Sequence, residues 1–178
     1  MMAKAVWAID KGHSSLEFSV KHMMMSKVKG VFNDFEATVE ADVNDLTDAK
    51  IEFTVDLNSI DTRKEDRDNH LRSGDFFDVE NYPTMTFVAT TINKTADNLY
   101  DVTGDLTIRG VTKPVTFEIT VEGVHKDPWG NEVAGFTGEG KLNRKDFGLV
   151  WNAALETGGV LVGEDVTINI ELEAHKQA

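Results

Sequence analysis

Apolar and polar residues alternate with a period of two along most of the chain, the signature of strands with one dry and one wet face. Leu16, Phe18 and Val20 alternate with Glu17, Ser19 and Lys21. The same pattern runs through Ile51–Asn58, Val102–Arg109, Val115–Glu122 and Val166–Glu173. Weaker alternation marks Val31–Glu40, Met85–Ile92 and Val133–Leu142, and Ala5–Asp10 reads as an extension of the first strand. Thr62–Gly74 breaks the pattern. Thr62 and Glu65 have the spacing of a capping box, Arg72 falls in the last turn and Gly74 is a C-terminal stop, so a short polar helix is predicted between strands. Met23-Met24-Met25-Ser26 reads as a further brief helical turn. Gly110–Pro114 reads as a tight turn and Gly123–Gly130 as a hairpin loop.

The fold class expected is therefore all-β: an eight-stranded antiparallel barrel with a short helix between strands, spanning residues 1–178 as a single domain. A barrel of about eight strands is either filled by its own side chains or holds one small ligand, and periodicity does not choose between them. The candidate interior is rich in phenylalanine (Phe18, Phe32, Phe53, Phe87, Phe117 and Phe136) and nearly free of titrating groups. If hollow, it suits aliphatic chains, each buried methylene contributing about 0.8 kcal/mol.

Composition narrows the function classes. The 178 residues include no cysteine, which removes disulfides, thiolate catalysis and cysteine-based zinc sites. The net charge of −13 opposes binding to nucleic-acid phosphates, so no nucleic-acid partner is expected. No apolar run approaches the ~20 residues of a membrane-spanning helix. Asp10 and Lys11 end the first apolar run too early for a secretory signal, so the expected setting is the cytoplasm; an exported mature form would look the same.

Candidate chemistry is sparse. Gly135-Phe-Thr-Gly138-Glu-Gly140 is glycine-rich, but it lies in a strand pattern and reads as a bend rather than a phosphate cradle. His13, His22, His70, His125 and His175 form no His-x-x-x-His pair, so no metal site or cofactor is expected. His70 reads as part of a solvated helix face and His22 as a polar residue at a cavity mouth. Asp66 with Asp68 and Glu164 with Asp165 are paired carboxylates of the kind that 31 acidic residues produce by chance. Arg109 and Arg144 stand near strand ends, as surface residues or as partners for a phosphate head. No catalytic motif is present.

Ordered blocks of residues carry a resemblance. They run from His13-Ser-Ser-Leu-Glu-Phe-Ser-Val-Lys-His-Met23 and Val28-Lys-Gly-Val-Phe32 through Ser59-Ile-Asp-Thr62 and His70-Leu-Arg-Ser-Gly-Asp-Phe-Phe-Asp78. Tyr82-Pro83, Gly104-Asp-Leu-Thr-Ile-Arg-Gly-Val-Thr-Lys-Pro-Val115 and Arg144-Lys-Asp-Phe-Gly-Leu149 complete the series. By their number and order the chain resembles the YceI-like family of lipid-binding, lipocalin-like proteins. The resemblance implies a barrel with a long apolar pocket, an isoprenoid or other amphiphilic lipid as ligand, and a homodimer as an option. The expected ligand-binding set comprises Phe18, Val20, His22, Phe32, Phe53, Val55, Phe87, Leu106, Ile108, Phe117, Ile119, Arg144, Phe147, Ile168 and Ile170, with His22 and Arg144 at the mouth. Two other readings stay open: an enzyme acting on a small amphiphile through His22 or a nearby carboxylate, and a stress-linked structural or interaction protein with a filled barrel.

Overall fold

The alternating segments are strands in the computed structural model, which describes residues 4–23, 25–152 and 162–177. Eleven segments form one antiparallel sheet: β1 (Ala5–Ile9), β2 (Ser15–His22), β3 (Ser26–Phe32), β4 (Phe35–Asp42), β5 (Asp45–Asp56), β6 (Ile60–Asp61), β7 (Thr84–Ala96), β8 (Leu99–Ile108), β9 (Val111–Lys126), β10 (Glu132–Asn143) and β11 (Val162–Lys176). The order β1-β4-β5-β7-β8-β9-β10-β11 closes on itself where β11 pairs with β1, at Trp7 opposite Lys176. The result is an eight-stranded closed barrel, which leaves no edge along its closed part.

The remaining three segments continue strands already counted. β2 prolongs β1 beyond a 3-10 turn at Lys11–His13, and β6 prolongs β5 beyond a 3-10 turn at Leu57–Ser59. β3 leads into β4 across Asn33 and Asp34. Three neighbouring strands thus break at one level. Aspartates hold two of the breaks, Asp10 accepting from the Gly12 N–H and Asp56 from the Asn58 N–H. Lys11 reaches from the first break to Asp34 and Glu36 at the next. Above this seam β2 pairs with β3 and β3 with β6, flaring the barrel at that end.

The core lies on the inward face of the closed barrel. Trp7, Val39, Val55, Phe87, Val102, Leu106, Phe117 and Phe136 are all buried there. Phe87 and Phe117 meet edge to face with ring centroids 5.1 Å apart. Gly140, on β10 opposite Phe117, leaves the space the Phe117 ring occupies: a Cβ there would stand 2.5 Å from Phe117 Cδ1.

Local chemistry departs from the sequence reading in four places. The helix α1 spans Glu65–Arg72 with no side-chain cap, because Thr62 is turned to another task. Its N–H and hydroxyl both bond the buried Asp68 carboxylate, and Arg67 grips its hydroxyl and carbonyl oxygens. The C-cap is Ser73 rather than Gly74. Met23 and Met25 form a hairpin turn between β2 and β3, with Met23 left-handed at φ 52°, where a helical turn was expected; Met24 lies outside the described residues. The turns at Arg109–Gly110 and Asp127–Asn131 are shorter than predicted because β9 runs the full length from Val111 to Lys126.

Candidate functional site

Two connected chambers occupy the barrel. The inner one holds about 80 Å³ and is walled by residues such as Val39, Phe53, Val55, Phe87, Leu106, Phe117, Ile119 and Ile170. No charged side chain lines it. The mouth chamber is larger, about 430 Å³, and lies at the flared end. Its apolar wall includes Phe18, Val20, Phe32, Ile108 and Val166, and its polar wall Lys21, His22, Lys64, Asp66, Arg67, His70 and Arg144. Leu16, Met85 and Ile168 line both chambers and form the neck between them. β11 contributes lining residues from Val162 to Leu172, about 33 Å of strand at about 3.3 Å per residue.

Alternation explains the inner wall directly. Val55, Phe53 and Ile51 point inward because they share one face of β5, and Ile168 and Ile170 do so on β11. The mouth needs tertiary structure. α1 carries Arg67, His70 and Leu71 to the rim, and the turns after it bring Phe76 and Phe77. His70 stands edge-on to both Phe76 and Trp151, with centroids 5.1 and 4.6 Å away, and pairs with Asp75 at 2.9 Å. The reading of His70 as a solvated helix residue is therefore corrected: it forms part of the chamber wall.

Arg144 has an unexpected role. It is 3% exposed, and its guanidinium donates to four backbone carbonyls: Gly163 at 2.8 Å, Trp151 at 2.9 Å, Val162 at 3.3 Å, and Leu149. Burial lowers its pKa, with the Glu164 carboxylate opposing in part. Arg144 lines the mouth, but its donors hold residues 149–151 against the start of β11. The Arg109 guanidinium bonds the Phe76 carbonyl at 2.8 Å in the same manner.

Of the residues expected to bind ligand, Phe53, Val55, Phe87, Leu106, Phe117, Ile119 and Ile170 stand on the inner wall, and Phe18, Val20, His22, Phe32, Ile108 and Arg144 on the mouth wall. Ile168 stands at the neck. Phe147 lines neither chamber. It is 1% exposed in the 3-10 turn Arg144–Phe147, which packs on β9, β10 and β11, so its membership is corrected. The sequence reading missed Leu71, Trp151, Leu142 and Leu149, none of which sits in an alternating strand pattern except Leu142.

A third cleft lies at the opposite end, bordered by His13, His125, Asp127 and Glu173. Asp10, His13 and Glu173 bring potential ligand atoms within 4.8 Å of one another there. They are engaged with each other and with the chain: His13 Nδ1 lies 2.8 Å and His175 Nε2 3.4 Å from the same Asp10 oxygen. The His13 contact is the main reason the Asp10 pKa is lowered, and the same contact raises that of His13. Among the described residues no helix is long and apolar enough to cross a membrane.

The YceI-like domain profile matches residues 7–174. A UPF0312 protein of Staphylococcus epidermidis (strain RP62A) is 46% identical over 165 residues, covering 92% of this chain and 94% of that one. A UPF0312 protein of Staphylococcus aureus (strain MSSA476) is 44% identical over 168 residues, covering 94% and 95%. Among solved structures, the Campylobacter jejuni YceI protein superposes with a TM-score of 0.77 at 34% identity, covering 89% of this chain and 90% of that one. BcnA of Burkholderia cenocepacia gives 0.81 at 27% identity, covering 93% and 98%. A polyisoprenoid binding domain from Saccharophagus degradans shares the fold, with a TM-score of 0.68 at 14% identity and coverage of 96% and 98%.

Proposed function

Because this chain belongs to the YceI-like domain family, we propose that it binds an amphiphilic lipid of the polyisoprenoid type and carries or buffers it in the barrel interior. One observation carries the reading: an inner chamber without a charged side chain opens through an apolar neck into a mouth that has them. An amphiphile matches that gradient, with its tail inside and its headgroup at the rim. Each methylene moved from water into the chamber contributes about 0.8 kcal/mol, so affinity grows with tail length until the inner end is reached. The fold shared with a polyisoprenoid binding domain supports a branched apolar tail. His22 stands on the mouth wall with no carboxylate partner among the described residues, so nothing orients it as a general base.

Native mass spectrometry of the purified chain, followed by organic extraction, tests the proposal. The expected result is a co-purifying lipid at about one per barrel, and uptake of a prenylated fluorophore after delipidation. The absence of both bound lipid and uptake would overturn it.

A further inference from the structure

The chain is strongly acidic, yet from Phe18 to Phe32 it has no Asp or Glu. That stretch is the β2–β3 hairpin, which carries Lys21, His22, Lys27 and Lys29. All three lysines are exposed, and among the described residues none has an ion-pair partner. Lys11, Lys94, Lys145 and Lys176, by contrast, each lie within 4.0 Å of a carboxylate. Lys21 and Lys27 face each other directly across the hairpin, an arrangement that costs stability through like-charge repulsion.

The tip between these lysines is apolar. Met25 is 83% exposed and Met23 39%. Across the same rim Val150 is 59% exposed, between Leu149 and Trp151 of the mouth wall. The hairpin is also the lip of the mouth chamber, since Lys21, His22 and Val28 line it. Lysines on a free strand edge discourage pairing with other chains, and the β3 edge over Ser26–Gly30 has no further strand partner among the described residues. Edge protection accounts for Lys27 and Lys29. It does not account for bare methionines at the tip, or for two lysines set opposite each other.

We propose that the β2–β3 hairpin docks on the surface of an anionic phospholipid bilayer, the methionines entering the headgroup layer and Lys21, Lys27 and Lys29 meeting the lipid phosphates. Exposed apolar side chains flanked by basic ones are the recipe for interfacial binding. The rest of the molecule carries the opposite charge and is repelled, so the chain approaches such a surface lip first. Docking in this orientation sets the chamber mouth at the bilayer. The purpose of the contact, exchange of lipid between bilayer and barrel, rests on the carrier reading above; the contact itself does not.

The test is co-sedimentation of the full chain with vesicles of phosphatidylcholine and phosphatidylglycerol in equal parts, against phosphatidylcholine alone. The chain should bind the mixed vesicles and lose them at high salt. Each basic residue held at an anionic surface is worth about a fivefold gain in partitioning, so Lys27→Glu/Lys29→Glu should weaken binding by at least about thirtyfold. The variant has no reason to misfold, because Glu at position 27 would face Lys21 favourably. Lys50→Glu/Lys94→Glu makes the same change in net charge near the opposite end of the barrel and should bind as the original chain does. Met25→Ser should weaken binding several-fold. Absence of binding to mixed vesicles, equal binding to both vesicle types, or an equal fall in the two double variants would overturn the proposal. Uptake of a prenylated fluorophore from free solution reads the chambers alone. Uptake without vesicle binding would sink the docking hairpin and leave the carrier reading standing; vesicle binding without uptake would do the reverse.

Discussion

The inner and mouth chambers share Leu16, Met85 and Ile168 and are otherwise built on different principles. Strand residues alone wall the inner chamber, and most of them, such as Phe53, Val55, Phe117 and Ile119, point inward because of their place in a period of two. The mouth is walled by strand ends, a helix, a 3-10 turn and the segment after it, held in place by polar contacts to backbone oxygens. The first is a packing problem that local alternation solves. The second is a hydrogen-bonding problem, solved by Arg144, Arg109 and the Thr62–Asp68–Arg67 cluster.

The most damaging way to break this comparison is at Arg144. Arg144→Met keeps much of the apolar stem and removes every donor, leaving four carbonyls without their partner. Stability should fall by about 3 kcal/mol or more in urea unfolding, given what unsatisfied buried polar groups cost. A change below about 1 kcal/mol would mean that the mouth stands without its clamp. Gly140→Ala comes next. The new Cβ meets ring carbons of Phe117, which is locked edge-on to Phe87, so the expected loss is about 1–3 kcal/mol.

Gly138→Ala sharpens the comparison, because here the obstacle is only the Cδ1 end of Ile119. Ile119 can turn into the inner chamber, so stability should stay within about 1 kcal/mol of the original chain. The inner chamber shrinks while the mouth is untouched, and mass spectrometry of bound lipid should show shorter tails. An unchanged tail-length distribution would argue that tails stop at the neck.

The smallest effect belongs outside both chambers, at Asp10 and His13. The Asp10 pKa is lowered in the fold, so its contribution is present above its ordinary value of 3.8 and is lost as pH falls through the depressed one. The His13 pKa is raised, so its contribution is full below its ordinary value of 6.5 and is lost as pH rises through the elevated one. The pair works best between these limits. Thermal midpoints of the original chain and His13→Gln should differ most near pH 5 and converge at high pH. Ligand uptake should not change.

The sequence made the inner chamber legible and the mouth mostly opaque, for the same reason. Phe117 and Ile119 announce their facing by their spacing alone. Phe76, His70 and Trp151 meet only because the segment after β6 folds back over the barrel end, and no local periodicity records that. Phe147 differs because its block is a 3-10 turn packed on β9, β10 and β11, where the buried aromatic fills the core rather than lining a cavity. Arg144 reads from the sequence as a surface residue or a partner for a phosphate head at the mouth, since nothing in a linear pattern shows four carbonyls converging on one guanidinium.

The seam across the first three strands has a consequence for how the barrel can tolerate change. Ten residue steps from Trp7 to Glu17 run beside eight from Val39 to Val31, and four from Val31 to Phe35 beside six from Asp61 to Val55. Both offsets are two residues, an even number, so inward residues still face inward ones on either side of the break. Along each strand, however, the inward positions switch from odd numbers below the seam (Trp7, Val39, Val55) to even numbers above it (Phe18, Phe32, Ile60). The turns at the seam act as a clutch between two gear trains. Insertions or deletions in β2, β3 or β6 can be taken up at these turns before they reach β1, β4 or β5, whereas β11 runs through both chambers as one strand and has no such break.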